Sequence, residues 1–226
     1  YHLLCVSQFQ RAVQLADRMG WEDERLGALR ERCDWMTRAV AKLLQSNGEC
    51  AHPQDTGRVT LQALQRYVPS LEMPTGSTAL PRAGYVVLRR NGASAFLDAG
   101  PYGHGHQHQD KLNVTWTHRD RWILLEYGTQ TYENTPYRRL CLGSGAHNVL
   151  LVDGTGQWRT RERESYPCGP VDVDLVEGKS ESSAVGTYDD LYGETLRSYY
   201  LEQAYGQAHR PPEDGNPITG IVHRRA

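Results

Sequence analysis

From residue 1 to about 68 the apolar positions recur at helical spacing. Leu3, Leu4, Val6, Phe9, Val13 and Leu15 predict a first helix that stops near Gly20. Leu26, Leu29, Cys33, Met36, Val40 and Leu43 form one stripe, which predicts a second helix from about Glu22 to Gln45. Asn47-Gly48 closes it, since both residue types tolerate the left-handed backbone that ends a helix. Leu61, Leu64 and Tyr67 predict a short third helix. Two long helices and a stub cannot bury both of their faces, so residues 1–68 read as the tail of a larger helical domain.

Residues 69–82 carry Pro69, Pro74, Gly76 and Pro81, the composition of a linker. From residue 83 to 226 the period changes to two. Strands are predicted at Tyr85 to Arg90, Ala95 to Asp98, Lys111 to Thr117, Trp122 to Tyr127 and Asn148 to Val152. Further ones are predicted at Val171 to Val176, Ser182 to Gly186, Leu196 to Glu202 and Thr219 to His223. Turns such as Asn91-Gly92 and Asp153-Gly154 separate some of them. Many short strands with turns between them argue for an antiparallel β-sandwich, so the fold class is α+β.

Length and composition narrow the reading. A chain of 226 residues with mean hydropathy −0.64 has no apolar run approaching the ~20 residues that cross a bilayer. It has no initiator Met and ends in what reads as a strand, so it is expected to be part of a longer protein. Cys5, Cys33, Cys50, Cys141 and Cys168 are scattered without a CxxC pair, and neither a zinc ribbon nor a disulfide framework is indicated. A net charge of −2 gives no global attraction for nucleic acid or membrane. No pattern specifies an oligomeric state.

The densest chemistry lies at Gly103-His-Gly-His-Gln-His-Gln-Asp110. Imidazole is a common metal ligand and changes charge near neutrality, so this stretch points to a metal centre or an acid/base site. His106 and His108 make an HxH pair; Glu126 and His147 can close a tetrahedral zinc shell with them. His106, His108 and Asp110 share the parity of Leu112, Val114 and Trp116, which places the cluster at the edge of the apolar face if no bulge intervenes. Tyr127, Tyr132 and Tyr137 are candidates for proton transfer, provided that neighbours lower a tyrosine's usual pKa of ~10. Arg159, Arg161 and Arg163 alternate along one predicted strand face and can grip carboxylates or sulfates, although Glu162 and Glu164 interleave.

Several segments together resemble one family. These are Phe96-Leu-Asp-Ala-Gly-Pro-Tyr-Gly-His-Gly-His-Gln-His-Gln-Asp-Lys-Leu112, Leu124-Leu-Glu-Tyr-Gly-Thr-Gln-Thr-Tyr132, Ala146-His-Asn-Val149 and Val152-Asp-Gly-Thr-Gly-Gln157. In their order and approximate spacing they are similar to heparinase II/III-like proteins, and His223-Arg-Arg225 resembles a later strand of the same domain. The resemblance implies an incomplete (α/α) toroid followed by the sandwich, with the active cleft between them. It implies a lyase that cleaves an anionic, uronate-containing polysaccharide by β-elimination, in a periplasmic or secreted protein. By position, His106 resembles the sandwich histidine of the cleft, while His108, Glu126 and His147 resemble the ligands of a structural Zn2+. Tyr1 resembles a catalytic tyrosine of the toroid, and Tyr132 and Tyr137 both resemble later cleft tyrosines. Arg138, Arg159 and Arg161 are the candidate substrate-binding cations.

The chain departs from the family at Glu126, where many members carry Asp, and at Leu142-Gly-Ser-Gly145, where an Arg-Ser-Thr-like stretch is common. With the uronate-neutralising toroid residues upstream, the chain alone is expected to be inactive. Two rivals follow from the same residues: a carbohydrate-binding or scaffold sandwich that kept the metal, and a cupin-like metal oxygenase, which also opens on HxH. Convergence of a tyrosine hydroxyl, His106 and an arginine on one cleft would favour the lyase.

Overall fold

The computed structural model describes residues 2–100, 106–133, 135–157, 173–177, 182–188 and 222–226. Three helices come first: α1 (His2–Arg18), α2 (Glu24–Ala41) and α3 (Leu61–Gln65). Asp23 caps α2 by accepting the Arg25 amide, and Thr60 caps α3 by accepting the Ala63 amide. Each cap satisfies a donor that a helix start leaves over. Ala41, Leu44, Cys50, Leu64, Val68 and Leu71 form the core between these helices and their loops. The predicted stripe on α1 is only partly used, because Val6, Val13 and Ala16 are buried whereas Leu4, Phe9 and Leu15 are exposed.

Strands β1 (Thr78–Leu80), β2 (Tyr85–Arg90), β3 (Ala93–Asp98), β4 (Asn113–His118) and β5 (Arg121–Leu124) make one antiparallel sheet in sequence order. β6 (Val173–Glu177), β7 (Ser182–Tyr188) and β8 (His223–Arg225) make a second antiparallel sheet. Helix α4 (Pro136–Leu142), capped by Thr135, follows the first sheet. Asn91-Gly92 and Asp153-Gly154 have positive φ at both residues, the left-handed conformation that a tight hairpin turn demands.

The two sheets bury Val86, Leu97, Ala99 and Leu112 against Ala184. Their separation is set partly at Gly186 of β7, where an added Cβ would stand 2.5 Å from Ala99 Cβ and 2.7 Å from a Leu112 methyl. Gly186→Val is therefore expected to destabilise the sandwich by about 1–3 kcal/mol or more through overpacking. A denaturation midpoint equal to the wild type's would show that the sheets are not in contact there.

The other face of the first sheet meets the helices through a mostly polar layer. Val87 and Phe96 pack on Ala51. Around them Thr115 donates to Gln45 (2.8 Å), the Ser46 amide donates to Ser94 (2.6 Å), and Ser94 pairs with Thr117 (2.7 Å). Arg89 donates to the carbonyls of Lys42 (2.6 Å), Leu44 (3.0 Å) and Gly76 (2.8 Å). Burial pushes its guanidinium down to about 10, so it still carries its charge at neutral pH.

This layer corrects the parity expectation. Asn113, Thr115 and Thr117, the polar set of β4, are buried toward the helices, whereas Trp116 is 42% exposed. Leu112 and His106 both have positive φ, so the backbone turns and the histidine segment does not inherit the parity of Leu112 and Val114. His108 and Asp110 are buried all the same, but His108 lies on the helical side. Two predicted elements also differ. Asn148–Val152 forms only an isolated bridge between Val152 and Thr155, closed by the Asp153-Gly154 turn. β1 lies inside the stretch 69–82 read as a linker; three residues are too few to show a period, and Ala79 packs on the sandwich core. The predicted strand Leu196 to Glu202 lies outside the described residues, as do Tyr1, Arg159, Arg161, Arg163 and Cys168. Cys33, Cys50 and Cys141 are buried free thiols, and Cys5 is exposed.

Candidate functional site

The loop between α2 and α3 and the first sheet's edge build the site together. Glu49 bridges to Thr60, so the intervening residues are held as a closed loop carrying His52, Gln54 and Asp55. The segment after β5 lies flush against it. At Gly128, whose φ is +57°, an added Cβ would stand 2.5 Å from the Thr56 carbonyl oxygen and 3.1 Å from His52. Only glycine permits both that backbone conformation and that approach. The Asp55 amide also donates to the His106 carbonyl, at 3.3 Å.

Three side chains converge behind this loop. One ligating atom each from His108, Glu126 and His147 lies within 4.8 Å of the others, and all three residues are buried. Glu126 Oε1 accepts from His147 Nδ1 (2.8 Å) and from the Tyr127 amide (2.9 Å), and its Oε2 accepts from Asn113. The imidazoles of His108 and His147 lie 5.3 Å apart. Burial lowers the His147 pKa, but the hydrogen bond to Glu126 and the negative charges of Asp110 and Glu126 outweigh it, and the net shift is upward. His108 Nδ1 is buried without a hydrogen-bond partner, and His147 has, beyond its bond to Glu126, only a weaker approach to the Cys141 backbone. Unpartnered buried nitrogens are costly in a folded protein. Two imidazoles and a carboxylate in a dry pocket are a donor set suited to zinc.

Next to this cluster, His106 is about one-third exposed, at 32% of its side-chain surface. Its Nδ1 lies 3.0 Å from Asp55 Oδ2 and 3.4 Å from the Tyr132 hydroxyl, and its ring meets Tyr132 edge-on. The Arg138 guanidinium covers the Tyr132 ring at 5.1 Å. A tyrosine hydroxyl and a half-buried imidazole therefore meet here, and the arginine beside them packs on the tyrosine ring. Tyr137 instead projects from α4 toward Cys141, and both burial and that thiol push its hydroxyl pKa up. His106 and His108 lie in a loop before β4 rather than on a strand, which is not how a cupin presents its HxH pair.

Sequence reasoning overlooked Asp55. Its side chain is fully buried and accepts from His106, His108, Thr129 and both Nη atoms of Arg138. Burial alone would raise its pKa, but the hydrogen bonds from His108, Arg138 and Thr129 hold the carboxyl well below the usual range. Arg138, read from sequence as a substrate-binding cation, is buried in this ion pair and does not point its guanidinium at solvent. The only signal for Asp55 was its place in a polar loop, and its partners lie 51 to 83 residues further on.

The heparinase II/III-like C-terminal family matches residues 72–202. The chain belongs to that family. Solved structures of similar fold include a heparinase III with methylated lysines (TM-score 0.61, 16% identity) and another heparinase III (TM-score 0.61, 15% identity). A third is the heparan sulfate lyase HepC from Pedobacter heparinus (TM-score 0.58, 16% identity). Each match covers 85% of this heparinase II/III-like chain but only 34–36% of the solved chain, so the chain spans about a third of their length. Among curated protein sequences nothing matches it. Among the described residues of this family member, no helix is long and apolar enough to cross a membrane.

Proposed function

We propose that the protein carrying this chain is a polysaccharide lyase that cleaves a uronic-acid-containing polysaccharide by β-elimination. The observation that supports it best is His106, a partly exposed imidazole anchored by a buried carboxylate and touching a tyrosine hydroxyl. Family membership agrees, and one structure of similar fold bears the name of a heparan sulfate lyase.

The chemistry sets what these residues do. A base takes the C5 proton of the uronate, the electron pair forms the C4–C5 double bond, and the C4–O4 bond breaks. An acid then protonates the departing O4. In this reading the imidazole of His106 and the hydroxyl of Tyr132 divide these two transfers. Tyr1 is assigned as a second cleft tyrosine, and Arg159 and Arg161 as cations for the polymer's carboxylates or sulfates. His108, Glu126 and His147 would hold a Zn2+ ion, which supplies a fixed structural cross-link rather than a reacting centre.

The full polypeptide, incubated with alginate, heparan sulfate, hyaluronan and bacterial uronans, is expected to generate the ultraviolet absorbance of an unsaturated uronate with at least one. No rise with any of them, using metal-replete protein, would sink the lyase reading.

A further inference from the structure

We infer that Asp55 is the positioning residue that fixes the two histidines of the site in opposite tautomers. The inference rests on the lyase reading for its kinetic arm only. An ionised carboxylate accepts hydrogen bonds and donates none. The nitrogens facing it must therefore carry the protons. These are His106 Nδ1 (3.0 Å, to Oδ2) and His108 Nε2 (2.9 Å, to Oδ1). In the neutral rings the lone pairs then fall on His106 Nε2 and on His108 Nδ1. The second of these is the buried nitrogen left without a hydrogen bond beside Glu126 and His147. Asp55 is not itself a member of that three-residue cluster; because it takes His108 Nε2, the ring nitrogen left for the cluster is Nδ1.

The remaining contacts serve the same end. Arg138 clamps both carboxylate oxygens, with Nη1 to Oδ1 at 2.6 Å and Nη2 to Oδ2 at 2.9 Å, while Thr129 donates to Oδ1. The fork matches the carboxylate plane, so Asp55 cannot rotate to favour one histidine over the other. A loop-to-helix ion pair alone would need only Arg138. Two imidazoles on the same carboxylate are what a positioning role adds, one serving the cleft and the other the metal cluster. Partners of this kind orient a ligand imidazole and fix its tautomer.

Two measurements on the full polypeptide test this. In the wild type, magic-angle-spinning 15N spectra of histidine-labelled protein, assigned with His106→Gln and His108→Gln, report tautomers directly. His106 protonated at Nδ1 and His108 at Nε2 is the expected result; either ring in the other tautomer overturns the inference. The second measurement uses Asp55→Asn combined with Arg138→Gln, which removes the carboxylate without stranding a buried cation. Its amide can accept from one histidine only, so one of two losses is expected: kcat falls about 10⁴-fold from a wrong His106 tautomer with KM within about threefold, or zinc affinity falls about 10- to 100-fold because His108 has lost its acceptor. A folded double variant with wild-type kcat and zinc affinity overturns the inference, and if that variant does not fold the wild-type spectra decide alone. Should the wild type eliminate no polysaccharide, the lyase reading fails, while tautomers and zinc affinity still judge Asp55.

Discussion

His106→Ala in the full polypeptide is expected to lower kcat for β-elimination by about 10²–10⁴-fold, the usual contribution of a positioned proton-transfer group. Fold and metal content should survive. His106 is about one-third exposed, and its removal leaves Asp55 with His108, Thr129 and the Arg138 fork. The buried carboxylate is thus not orphaned, which is the event that makes loss of a hydrogen-bonding partner severe. The measurement is the rate of unsaturated-uronate absorbance beside a thermal melt and a metal assay. Unchanged kinetics would remove His106 from the mechanism, and a collapse of fold or metal content would make it structural. Tyr132→Phe makes an informative companion, because it deletes the hydroxyl 3.4 Å from His106 and leaves the ring beneath Arg138.

The sequence disclosed what depends on local pattern. β2 was legible residue for residue because Tyr85 to Arg90 pairs in unbroken register with β3, and Asn91-Gly92 supplied the turn between them. The three members of the buried cluster were legible through the family's spacing, since residues 108, 126 and 147 sit on successive segments of one motif. What was missed is that the polar face of β4 is buried too, opposite Leu112 and Val114, which do meet the sandwich core. Buried polar residues look like exposed ones in a hydrophobicity pattern, and Thr115 and Thr117 are buried because Gln45, Ser46 and Ser94 satisfy them across the layer. Asp55 was beyond reach for a related reason. A loop carboxylate advertises nothing, and its meaning comes from side chains brought to it by the sheet and α4. Arg138 was read as substrate-binding for the same reason, since the sequence does not show the buried carboxylate that it pairs with.

The largest effect on stability is expected at His147. His147→Ala deletes a ring held by a fully buried Glu126 contact and removes one member of the cluster with His108. Breaking a buried charged hydrogen bond costs about 3–5 kcal/mol, and a structural metal adds its binding free energy to folding. Against a total stability of about 5–15 kcal/mol for an ordinary domain, that loss is a large share. Chelator should therefore lower the melting temperature of the wild type. His147→Ala should melt lower from the start and hardly respond to chelator, because the step chelation removes is already gone. Glu126 keeps the Tyr127 amide and Asn113 in that variant, so the drop reports the imidazole and the metal rather than a stranded carboxylate. Zinc analysis should find about one ion per wild-type chain, in line with a single three-residue donor set completed by one further ligand. Well-folded wild-type protein that contains no metal and shows no shift with chelator would reduce the cluster to a buried His–Glu pair.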